Sequence, residues 1–256
     1  MGYQPREILL PSGGKINTIS NSEIFAENMG TLLTTAFAHY RQHFWLIASL
    51  TLVVWLPCDL IQSYLEYQVF DPEDTRASFK LSQFFSSFFG IIAVAGILQS
   101  LDLSAAGIRP TFKMALGAGF SYWPRMWFAN FLFGLAFVIG LFLLIIPAFF
   151  LLIRCALLEQ VVVRETVTGV TAIQRSFALT KGHFWKVCWW FFVACMIAFL
   201  VGFPLLFLTL IPVLDWWLPD GIFTALYSIP SMYIVVFGWV VYNHLADLEA
   251  SREEGV

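Results

Sequence analysis

Apolar residues fall in blocks of about twenty, separated by short stretches rich in polar residues, glycine and proline. A helix needs about 20 mostly apolar residues to cross a bilayer, and residues 43–65, 81–103, 184–210 and 222–245 each meet that length. Between 123 and 164 the apolar run hardly pauses. As one helix it would extend about 63 Å at 1.5 Å per residue, twice the hydrocarbon core of about 30 Å. The run must therefore turn back. Pro147 is the predicted corner, because proline disfavours αR in the residue before it and suits the first helical turn after it. The pattern thus predicts a third span over 123–146, a short fourth over 148–163, and an all-α membrane protein of six transmembrane helices.

Ahead of the spans the period changes from continuous to helical. Phe25, Met29, Leu32, Leu33, Ala36, Phe37 and Tyr40 fall on one face, with Ser22 as the expected N-cap. Val170, Ile173 and Phe177 make a similar stripe before Gly182 stops the helix. These lead-ins also share sequence. Phe37-Ala38 and Arg41-Gln42-His43-Phe44-Trp45 match Phe177-Ala178 and Lys181-Gly182-His183-Phe184-Trp185, and a weaker third copy starts at Ala115, with Tyr122 and Trp123 in the His and Phe positions. The reading is an internal repeat of three units, each an amphipathic cytoplasmic interfacial helix feeding a two-span hairpin. Residues 1–21 form a polar N-terminal tail with no signal-peptide pattern, 22–246 the membrane domain, and 247–256 an acidic tail.

Composition agrees with this class. Of 256 residues 59% are hydrophobic and 12% charged, about half the charge of a soluble domain, and mean hydropathy is +0.77. A net charge of −3 offers no field for nucleic acid. Charge also orients the chain. Six spans put eleven of the 14 Lys and Arg, among them Arg41, Arg109, Arg125, Arg164, Arg175 and Lys181, on the side of both termini, and only Arg76 and Lys80 on the other. By the positive-inside rule both termini are cytoplasmic. Trp45, Trp123, Trp127, Trp185 and Trp239 fall near the cytoplasmic ends of the spans, while Trp216 and Trp217 lie on the other face, as two aromatic belts would.

Ile146-Pro147, Leu151-Leu152-Ile153-Arg154, Val161-Val162-Val163, Glu165, Ala172, Arg175-Ser176, Leu179-Thr180-Lys181-Gly182 and Trp185 together resemble a family of six-span bacterial inner-membrane proteins. That family includes YciC-like proteins and the membrane domain attached to some glycerophosphoryl diester phosphodiesterases. The resemblance is strongest over 140–190 and departs at Ala148, where the pattern has glycine. It implies a lipid-associated inner-membrane protein. The soluble phosphodiesterase barrel has no counterpart here, so no hydrolase activity is implied.

Ionisable residues inside spans are costly unless paired or hydrated, and Asp59, Arg154 and Glu159 stand out. Asp59 lies about 24 Å beyond His43 along a helix, and Arg154 about 9 Å in from Ala148. Both depths fall in the outer half, so the two are expected to pair across spans one and four, with Glu159 as a competing partner facing the bundle interior. Such a set serves either as a structural pair that fixes helix order or as a substrate or proton site. Arg164, Glu165, Arg175 and Lys181 form a cytoplasmic rim, either solvated or in contact with lipid headgroups, since a guanidinium forks onto phosphate. His39 and His43 stand four apart, as two ligands on one helix face would, but no acidic partner follows, and no metal or cofactor is expected. Cys58, Cys155, Cys188 and Cys195 sit in apolar runs with no CxxC spacing. No HExxH, GxSxG or GxxxxGK[S/T] motif occurs, so the expectation is a protein without catalysis. It would bind membrane lipids or support a membrane-protein partner or second copy in the envelope. The alternatives are a small-molecule exporter using the proline-broken fifth and sixth spans, and an intramembrane enzyme.

Overall fold

A computed structural model describes residues 21–69, 75–143, 145–208 and 216–254, and these are helical with no strand among them. Five stretches are long and apolar enough to cross a membrane: Phe44–Gln68, Lys80–Ala105, Phe112–Phe142, Phe184–Leu205 and Trp217–Ser251. In chain order, α1 (Asn21–Gln42) leads into α2 (Phe44–Gln68). Next, α3 (Thr75–Phe85), a π-helical turn (Ser86–Gly90) and α4 (Ile91–Ala105) follow one another without a break. Then come α5 (Phe112–Leu143), α6 (Ile145–Arg154), α7 (Leu158–Arg164), α8 (Gly169–Leu179), α9 (Phe184–Leu208), α10 (Trp217–Ser231) and α11 (Tyr233–Glu254). The N-terminal tail, and the side chains of Ser22, Phe25 and Arg76, lie outside the described residues.

The long apolar run does turn back, slightly earlier than expected. α5 ends at Leu143, and Pro147 sits in the first turn of α6, where a missing N–H costs nothing. From there the chain returns along α5. A Cβ on Gly140 would lie 3.4 Å from Ala148, Glu159 is hydrogen-bonded to Asn130, and the Thr168 hydroxyl donates to the carbonyl of Arg125 at 3.0 Å. The single helix expected over 148–163 is instead two, of 10 and 7 residues, joined by a turn at Cys155–Leu157. Each rises only about 15 or 10 Å, so this segment traverses the bundle as a broken pair.

The two clear repeat copies share a backbone plan. A short break separates lead-in from span, and the carbonyls of His43 and His183 each accept the first helical hydrogen bond, from Ile47 and Val187 at 2.9 Å. Gly182 supplies the break in the second copy with φ +83, a conformation that costs glycine nothing. The third lead-in does not form separately, since Phe112–Leu143 is one continuous helix. No such break intervenes, and Gly119 within it serves packing instead. A Cβ on Gly119 would meet the carbonyl oxygen of Ile92 at 2.5 Å, and one on Gly96 the carbonyl oxygen of Ala115 at 2.7 Å. α4 and α5 are therefore pressed backbone to backbone, as small residues permit in membranes. At the end of α4 the N–H of Gly107 (φ +79) bonds to Ser104 and that of Ile108 to Leu103, a Schellman cap.

The core centres on α11, whose Val236, Phe237, Trp239, Val240, Val241, Tyr242 and Leu245 are buried against α1, α4, α7, α8 and α9. Pro230 cannot donate its backbone bond, and the sixth expected span accordingly breaks at Met232 into α10 and α11. The expected acidic tail from 247 is not a separate element, because α11 continues as helix to Glu254.

Candidate functional site

Arg164, Glu165 and Arg175, expected as a loose rim, are drawn into one network. Arg175 on α8 donates from Nε to both carboxylate oxygens of Glu165 at 2.9 and 3.0 Å, and from Nη1 and Nη2 to Glu249 of α11 at 2.9 and 2.7 Å. The bond to Glu249, and then that to Glu165, hold the Arg175 guanidinium more firmly protonated than usual. The Tyr242 hydroxyl donates to Glu165 at 2.7 Å. Alongside, Arg164 Nε lies 3.0 Å from Asp102 at the end of α4, and its Nη1 donates to the side-chain oxygen of Asn243. Its guanidinium carbon lies 5.0 Å from the Tyr242 ring centroid, a cation–π distance. The Trp239 indole N–H donates to Asp102 at 2.7 Å. Trp239 is therefore an interior donor, buried to 5% exposure, and not a member of an aromatic belt. Trp45 and Trp185, at 83% and 77% exposure, point outward as belt residues do. Lys181 stays exposed and outside the network. Both guanidinium forks are thus engaged by the chain's own acids, which makes the network a clasp joining α4, α7, α8 and α11.

Asp59 and Arg154 do not pair. Asp59, 7% exposed, faces the start of α10. A Cβ on Gly221 would lie 3.1 Å from the Asp59 carbonyl oxygen, and the nearby Ser63 hydroxyl lies 2.9 Å from Asp220. Arg154 lies at the other end of the bundle. Its Nη1 donates to the carbonyl of Phe177 at 3.2 Å, its own carbonyl accepts from Ser176 at 2.7 Å, and its guanidinium carbon sits 5.1 Å from the Phe150 ring centroid. The depth argument took Ala148 as the outer end of a crossing, and the position of Arg154 beside α8 does not bear that out. α6 ends at Arg154 against the last turn of α8, whose terminal carbonyls offer a cation the partners it needs. Nor do His39 and His43 gather ligands. No group of three His, Cys, Asp or Glu able to hold a metal occurs among the described residues.

Glu159 lines a cleft. Near the Gly119–Ile92 contact α4 and α5 touch, and one turn further along Trp123 stands edge-on to Phe88 with ring centroids 4.7 Å apart, its indole N–H donating to the Phe88 carbonyl. Beyond this pair the π-helical turn and α3 diverge from α5. A lateral cleft of about 940 Å3 opens between α3, the π-helical turn and α4 on one side and α5 with Glu159 of α7 on the other. π-Helical turns concentrate at functional sites, and this one contributes Ser87, Phe88 and Gly90 to the wall. Most of the lining is apolar or aromatic. The polar groups are Lys80, Gln83 and Ser87 on one wall and Asn130 and Glu159 on the other. Glu159 is hydrogen-bonded to Asn130 and belongs to none of the ion pairs among the described residues.

Comparison with protein-family models, with curated proteins and with solved structures finds no match for this chain. The site therefore rests on its geometry. Sequence reasoning missed Asp102, Glu249, Tyr242 and Asn243. Asp102 carried a usable signal, an acid inside the apolar block 81–103, whereas Glu249 looked like one charge of an acidic tail.

Proposed function

We propose that this chain is a non-catalytic inner-membrane protein of bacteria that holds a membrane lipid or similar amphiphile in the cleft between α4 and α5. The observation that carries the reading is the cleft's mixed lining: an aromatic and aliphatic wall suited to an acyl chain, with a few polar groups gathered beside it, as in small-molecule sites generally. In the same reading the chain crosses the bilayer six times, with the broken pair α6–α7 as the fourth crossing and both termini cytoplasmic. The return of 148–168 along α5 and the basic residues at one end support this count. So does the resemblance of 140–190 to YciC-like six-span proteins, whose relative we take this chain to be. A fluorescent protein fused after Val256 is expected to be bright and an alkaline phosphatase fused there inactive. The reverse pattern would refute the six-crossing arrangement.

Native mass spectrometry of the full chain released gently from membranes tests the function. One or two retained phospholipids or other amphiphiles are expected on the native chain, and their loss from Leu135→Trp, which fills the cleft from its α5 wall. A chain that carries no lipid, or a variant that carries as much as the native protein, would sink the proposal.

A further inference from the structure

Resting on the reading of the cleft as an amphiphile site, we infer that its ligand carries a cationic headgroup, an alkylammonium, seated against Glu159. A carboxylate at membrane depth is expensive unless a cation or several donors meet it. Glu159 has Asn130 as its hydrogen-bond partner and no cation among the described ion pairs, although other carboxylates of this chain are matched by arginines. Among the described residues it is the one acid lining the cleft. Arg154 and Arg164, its nearest basic neighbours in sequence, are directed to α8 and to Asp102. Lys80 lies on the opposite wall, midway along α3, and is in none of the ion pairs among the described residues. The cleft thus presents a carboxyl group that belongs to no ion pair among the described residues, next to a rail for a hydrocarbon chain. Phe131, Leu135 and Val138 line it at i, i+4 and i+7 along α5 and are each about half exposed. This spacing keeps them on one helix face, leading away from Asn130. An ammonium at Glu159 with its alkyl chain laid along that rail matches the α5 and α7 wall, whereas an anionic or neutral headgroup leaves the Glu159 carboxylate opposed or unmatched.

The discriminating probes are three twelve-carbon amphiphiles: dodecylamine, protonated at pH 7; N-dodecylacetamide, its neutral amide; and laurate, an anion. Binding to the purified full chain in a neutral maltoside detergent is read by native mass spectrometry and by the shift in melting temperature. Dodecylamine is expected to bind at least about tenfold tighter than the other two, the scale of one charged hydrogen-bonded contact. Glu159→Gln should erase that preference while leaving weak binding of all three. Leu135→Trp keeps the carboxylate and should abolish binding of all three, so the inference stays testable if Glu159→Gln folds poorly. Equal binding of amine and amide, a preference for laurate, or an amine preference that survives Glu159→Gln would each overturn the cationic headgroup while leaving the amphiphile site standing. Failure of every probe to bind, together with a native chain free of lipid, would remove the site itself.

Discussion

Replacing Arg175 with alanine is expected to lower folded yield and to cost about 2–3 kcal/mol, the scale of charge-assisted hydrogen bonds lost together. Arg175 holds two carboxylates at once, Glu165 and Glu249, so its removal leaves both acids facing each other's field without a cation. The side chain is 33% exposed, and water will soften the penalty below that of a fully buried pair. Lysine will not rescue it. An ammonium cannot reproduce a fork that reaches Glu165 through Nε and Glu249 through Nη1 and Nη2. Glu249→Gln should be milder, since Arg175 keeps Glu165, and Lys181→Ala should be silent, since Lys181 is exposed and outside the network. Melting in detergent, followed by tryptophan fluorescence, reads the series. Equal melting of Arg175→Ala and Lys181→Ala would show that the clasp contributes nothing to stability.

Gly119→Val is expected to damage the fold more than the same change two residues away. A Cβ at Gly119 would meet the carbonyl oxygen of Ile92 at 2.5 Å and its Cγ2 at 2.8 Å. A backbone carbonyl cannot swing aside, so α4 and α5 must separate, at about 1–3 kcal/mol for overpacking and more if the pair cannot re-seat. Gly117, two residues earlier on the same helix, has open space where a Cβ would point, so Gly117→Val controls for added volume and changed helix propensity. Because the Trp123–Phe88 floor lies one turn from Gly119, Gly119→Val should also reduce the lipid retained by the cleft. Size-exclusion profiles, melting curves and lipid content of the two variants make the comparison. Indistinguishable variants would mean that the close approach of α4 and α5 carries no weight.

How far the chain could be read before folding depended on whether a feature is local. Hydropathy is local, so the spans beginning at His43 and Phe184 appear within a residue of where the helices start, and the fold-back between 123 and 164 follows from bilayer thickness alone. The His43 and His183 breaks were legible for the same reason, each being a few polar residues, with Gly182 in the second, beside an apolar block.

Other features depended on how helices lie against one another. Taking Ala148 as the outer end of a crossing put Arg154 at the depth of Asp59. Instead α6 ends at Arg154 against the last carbonyls of α8, and no single-residue property announces where α8 docks. Asp102 and Glu249 sit far from Arg164 and Arg175 in sequence and meet them only because α11 is packed at the centre of the bundle. The cleft arises where α3 and the π-helical turn leave α5 beyond the Phe88–Trp123 contact. By itself the sequence determined that this chain is a helical membrane protein, where its apolar helices begin, and which residues are too costly to leave facing lipid, because transfer from water to hydrocarbon acts residue by residue. Only the tertiary structure decided which charges pair, how closely α4 and α5 approach and where a cleft remains, because those follow from the shapes of whole helices in contact.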